Sequence, residues 1–97
     1  MKHFAFLSAI AVAVSLAGTA QAACYADYKA KRGNPLQLHY GVIQIDITPC
    51  SMSNKAKSAV AGRLKSSGWT LLRVQSVFGD DGLGKRKKDA GKFFLRF

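Results

Sequence analysis

The stretch CYADYKAKRGNPLQLHYGVIQIDITPC, residues 24–50, runs from one cysteine to the next and decides how the rest of the chain can fold. Its second half is the plainer one. Between Pro35 and Pro49 apolar residues alternate, first at Leu36, Leu38, Tyr40 and Val42, then at Ile43, Ile45 and Ile47. That two-residue period predicts a strand. The phase changes beside Gly41, which points to a bulge or to a core strand confined to the second half. The first half, residues 24–35, reads as a short helical segment. Ala and Lys favour helix, Gly33 offers a left-handed end and Pro35 blocks continuation. Tyr25 and Tyr28 would then share one face.

Downstream, SMSNKAKSAVAGRLKSSG (residues 51–68) places Met52, Ala56, Val60 and Leu64 at every fourth position, with Ala59 widening the stripe. This is an amphipathic helix, with Ser51 or Ser53 available as cap and Gly68 as terminator. Gly62 inside it implies close backbone contact or a weak helix. WTLLRVQSVF (69–78) reads as a second strand, with Leu72, Val74 and Phe78 opposing Trp69, Leu71, Arg73 and Gln75. GDDGLGKRKKDAG (79–91) is a polar connection in which Asp81 could cap one helical turn. KFFLRF (92–97) reads as a third strand, returning antiparallel to the second. The expected fold is a small two-layer α+β domain. One main helix lies on a three-stranded sheet in the order β-α-β-β, after a short N-terminal helix, with strand order open.

Upstream, MKHFAFLSAIAVAVSLAGTAQA has a lysine near its start, an apolar run from Phe4 to Leu16 and small residues ending at Ala20-Gln21-Ala22. That is the layout of a secretory leader spanning residues 1–22, and the run is too short for a permanent span. Residues 23–97 are then one domain, expected in the periplasm or outside the cell. Cys24 follows Gln21-Ala22-Ala23, which lacks the aliphatic residue that lipid attachment wants. In an oxidising compartment Cys24 and Cys50 are expected to pair. The chain-entropy model values a loop of this length at roughly 3.5 kcal/mol, a large share for so small a core.

Fourteen Lys and Arg against five Asp, with no Glu, leave residues 23–97 at +9. The balance favours an anionic partner: lipopolysaccharide, phospholipid, nucleic acid or an acidic protein. Lys85, Arg86, Lys87, Lys88 and Lys92 form the densest run and are the expected anion-binding residues. No catalytic, cofactor or metal set emerges. Gly79–Lys85 fits G-x-x-x-x-G-K, but Arg86 stands where the metal-binding hydroxyl belongs, and Asp80 and Asp81 would repel phosphate. A calcium loop would need a Glu. His39 is the one histidine after residue 22, with no acidic partner at telling spacing.

ACYADYKAKRGNPLQLHYGV, GWTLLRVQSVFG and AGKFFLRF together resemble a group of short exported bacterial proteins with no assigned activity. The resemblance covers most of residues 23–97 and carries no catalytic residues, so it implies an exported small domain and nothing more. The reading is a non-enzymatic, disulfide-stapled basic binding module. The alternative is a cationic effector acting on membranes or nucleic acid.

Overall fold

The computed structural model describes residues 23–97, so the expected leader lies outside the described residues. Strand β1 spans Cys24–Arg32 and β2 Gln37–Ile45, joined by a tight turn in which Gly33 takes φ 77°. Helix α1 (Asn54–Ser66) follows, then β3 (Thr70–Phe78), a 3-10 turn (Asp80–Gly82), helix α2 (Gly84–Ala90) and a second 3-10 turn (Gly91–Phe93). The sheet order is β2-β1-β3, with β1 antiparallel to both neighbours. A three-stranded α+β domain is therefore present, but two of its expected parts change place.

The first correction is the N-terminal segment: residues 24–32 are the central strand of the sheet. Helix propensity from Ala and Lys is a weak preference that packing overrides. Cys24, Ala26, Tyr28 and Ala30 turn to one face and are all buried beneath α1. The alanines suit a strand a helix must approach closely. Tyr25 and Tyr28, expected side by side, belong to opposite faces, Tyr25 joining Val42 and Ala90 in a second apolar cluster.

The second correction is the C-terminus. KFFLRF is no strand of this sheet: only Phe94 forms a bridge, parallel to Val42, and the Leu95 N–H donates to the Val42 carbonyl at 2.8 Å. The chain reaches β2 and not β3 because α2 packs beside β2. Phe93 and Phe97 then pack with the α1-side core and Phe94 with the opposite cluster.

The main helix forms as its stripe requires. Ala56, Val60 and Leu64 are buried, and the Ser53 hydroxyl accepts from the Ala56 N–H at 3.1 Å. Met52 lies outside the stripe, exposed ahead of the helix. Gly62 meets open space, so it marks a weak position and not a close contact.

The phase change at Gly41 has a different cause from a bulge. β1 and β2 pair without a register break, whereas β3 carries two irregularities against β1, between Asp27 and Tyr28 and between Lys29 and Ala30. These set Leu71, Val74 and Val77 in the α1-side core, correcting the expected alternation of β3. β2 shows apolar residues in both phases because both its faces are covered. Ile43 and Ile45 face α1, and Val42 faces α2. Glycine at 41 is required by the Tyr28 ring across the strand pair; a Cβ there would lie 2.7 Å from Tyr28 Cζ.

Two layers become three only in part. Seven residues of α2 extend about 10 Å, while nine-residue strands extend about 30 Å. The second helix covers the half of its face nearest Cys24 and leaves the half nearest the hairpin bare.

Candidate functional site

At the Cys24 end the chain is closed. Cys24 and Cys50 form the disulfide, with a Cα–Cα distance of 5.6 Å, tying the start of β1 to the segment entering α1. Under α2, Asp27 is 6% exposed and takes three donors. They are the Ser76 hydroxyl, the Tyr40 hydroxyl at 2.8 Å and Arg86 Nε at 3.1 Å. Burial alone would raise the Asp27 carboxyl, yet these hydrogen bonds and the Arg86 charge hold it below the usual carboxylate range. The same contact, after burial, raises Tyr40 to about 12.

Arg86 therefore belongs to the fold. Besides Asp27, its guanidinium donates to the Gly82 carbonyl at 2.7 Å and to the Ser76 hydroxyl at 3.2 Å, and it lies 3.9 Å from the Phe78 ring centroid. Sequence spacing grouped it with exposed cations; position 86 instead faces the sheet from α2. Lys85, Lys87 and Lys88 are exposed on that short helix. Asp80, Asp81 and Asp89 accompany them on the same segment and dilute its charge. Lys92 leaves the group altogether, at the other end of the molecule.

There, β1, the α1–β3 connection and the C-terminal segment converge. Arg32 closes β1, and its Nε and Nη2 donate to Gln37 Oε1 at 3.2 and 3.1 Å. So fixed, the guanidinium lies 4.1 Å from the centroid of the Trp69 ring. Trp69 is 5% exposed and edge-on to His39 at 4.2 Å. Phe93 stacks on His39 at 3.7 Å, and Phe97 lies beyond it, its main-chain oxygen accepting from Arg63 at 2.7 Å. Lys92 and Arg96 hold their charges 5.4 and 5.9 Å from the Phe93 ring centroid. Arg32, Ser67, Trp69, Lys92, Phe93, Arg96 and Phe97 line a cleft of about 320 Å³. Three cations over a flat apolar floor suit an anionic group attached to an apolar or aromatic body.

His39 lies beneath this floor and does not line it. Its Nε2 shares a hydrogen bond of 2.9 Å with the Tyr28 hydroxyl, and its Nδ1 has no partner among the described residues. Burial, then the nearby Arg32 charge, lowers its affinity for a proton, while burial pushes Tyr28 up to about 12. A neutral imidazole in an aromatic stack is a core group, not a base facing solvent.

A larger cavity of about 570 Å³ opens beside the disulfide, bounded by Cys24, by Gln44 to Thr48 and by Arg63. Its two charged residues, Asp46 and Arg63, oppose one another, so it has no preference for one sign of ligand. No family model, curated protein or solved structure matches this chain.

Of the expected anion-binding residues, the structure places only Lys92 in the cationic cleft. Arg32, Trp69 and Arg96 were not legible from sequence. Arg32 and Trp69 meet only if residues 24–32 form a strand antiparallel to β3, and Arg96 only if the C-terminal segment leaves the sheet.

Proposed function

We propose that this chain is an exported, non-enzymatic module that binds an anionic partner at its hairpin end. One observation supports this above the others: charge is segregated along the sheet. Asp46 follows β2, and Asp80 and Asp81 follow β3, all at the end where Cys24 begins β1. Asp89 lies on α2, and Asp27 is taken up by Arg86. The hairpin end carries Lys29, Lys31, Arg32, Arg73, Lys92 and Arg96 and, among the described residues, no acidic side chain. A one-signed surface of this kind concentrates anions and steers them in.

A short DNA duplex serves as a generic polyanion to test it. The slope of log affinity against log salt should flatten by about 0.9 for each phosphate contact removed. The K31Q/R32Q/R96Q variant should flatten it by roughly 2.7. The K85Q/K87Q/K88Q variant should change it less. The opposite ranking would return the contact surface to α2.

A further inference from the structure

The half of the sheet that α2 leaves bare has a composition of its own. In register across it lie Leu38, Lys31 and Thr70, then Tyr40, Lys29 and Arg73. Leu38 is 64% exposed, Leu36 in the adjoining turn 63%, and Leu72 at the β3 irregularity 50%. These are the three most exposed large apolar side chains among the described residues, and all belong to the cationic end. Isolated exposed leucines need no explanation, but leucines gathered among unpaired cations at one end do.

We propose that the hairpin end docks on a bilayer of anionic phospholipid, a deepening that rests on the anionic-partner reading above. Leu36 and Leu38 enter the boundary between head groups and acyl chains. Lys29, Lys31 and Arg73 meet the phosphates around them. Charge complementarity selects this occupant: cations ring the leucines and no carboxylate lies among them. Nucleic acid fits less well. A single strand wants aromatic faces to stack on, but the one aromatic ring in these two rows, the half-buried Tyr40, gives its hydroxyl to Asp27. Leucines, by contrast, gain nothing from a phosphate backbone. Among the described residues no helix is long and apolar enough to cross a membrane, so the contact proposed lies on the surface.

Each basic residue near an anionic leaflet strengthens binding about fivefold, and partial burial of two leucines adds at least about tenfold. The test is co-sedimentation of the purified, oxidised protein with vesicles of phosphatidylglycerol and phosphatidylcholine, with phosphatidylcholine alone, and binding to the short DNA duplex at the same salt. The protein should sediment with the anionic vesicles and not with the neutral ones. L36S/L38S should lose about tenfold on anionic vesicles while its duplex binding stays unchanged; K29Q/K31Q should lose on both. Because both leucines are exposed, an unchanged urea midpoint shows that L36S/L38S still folds. Anionic-vesicle binding indifferent to L36S/L38S overturns the proposal. So does duplex binding without vesicle binding, which leaves the anionic reading standing. Binding to neither probe overturns both.

Discussion

Asp27 and His39 are the two buried polar side chains among the described residues, 6% and 8% exposed, and the fold treats them in opposite ways. Asp27, under α2 in the disulfide half, is charged and takes two hydroxyl donors and a guanidinium. His39, toward the hairpin, is packed between Phe93, Trp69 and Tyr28 with one ring nitrogen bonded and the other not. The first half of the molecule solves burial by pairing every group; the second solves it by keeping the group neutral. The difference follows from what covers each face. A helix bearing Arg86 can deliver a counter-charge, whereas an aromatic stack offers only one hydroxyl and rings. It also sorts the charges: the disulfide half holds the Asp27–Arg86 pair, whereas the cations around the hairpin have no acidic side chain beside them among the described residues.

The most direct way to break this comparison is Asp27→Ala. It leaves Arg86 partly buried without its counter-charge and two hydroxyls without their acceptor, a loss of about 3 kcal/mol. Urea unfolding would read it as a lower midpoint. Asp27→Asn keeps the shape and one acceptor oxygen and should recover part of the loss. An Asp27→Ala midpoint within error of the parent would mean that the network is decorative and that the two halves do not differ in this respect.

Next in size is the disulfide, which closes the same half. Replacing both Cys24 and Cys50 with Ser should cost roughly 2–4 kcal/mol by releasing the loop between them. The urea midpoint should fall with little change in slope. The bridge joins β1 to the α1 approach and lies away from the hairpin. Duplex binding measured where the variant remains folded should therefore match the parent. Lost binding in the folded variant would show that the halves are coupled after all.

Much of this was legible in the sequence, and the parts that were not share a cause. The four-residue stripe of Ala56, Val60 and Leu64 specified α1, and Ser51 or Ser53 its start, of which the fold uses Ser53, because both signals are local. The Cys24–Cys50 pairing followed from cysteine count and the expected export. β1 was misread because a central strand covered on both faces does not alternate between apolar and polar. Tyr25 and Asp27 are as buried as the residues between them. Its alanines then tipped the reading toward helix. KFFLRF alternates, yet its aromatics answer to His39 and Val42, partners more than fifty residues away. The densest run of basic residues was visible as composition, but which of its members are free depends on which face of α2 meets the sheet. The cleft itself is built from three segments and has no signature in any one of them.

The smallest effect distinguishes the halves by pH. The unfolded His39 imidazole titrates near 6.5, and burial with Arg32 nearby lowers that value in the fold. Between the two values the unfolded chain holds a proton that the folded chain does not. Stability is therefore complete above about pH 6.5 and declines as pH falls from there toward the folded value. Asp27 contributes nothing in that window. Its folded value is depressed, so its stabilisation is lost only as pH falls below the ordinary 3.8. Every charged side chain on the aromatic stack around the imidazole is positive: Arg32 over Trp69, and Lys92 and Arg96 near Phe93. Protonation therefore gains no counter-charge from these side chains. The urea midpoint should drop modestly between about pH 7.5 and about pH 5. His39→Gln, which keeps a polar group opposite Tyr28 but cannot titrate, should flatten the profile. A parent profile that is flat or rises on acidification would show that the hairpin half accommodates a charged imidazole. The contrast with Asp27 would then dissolve.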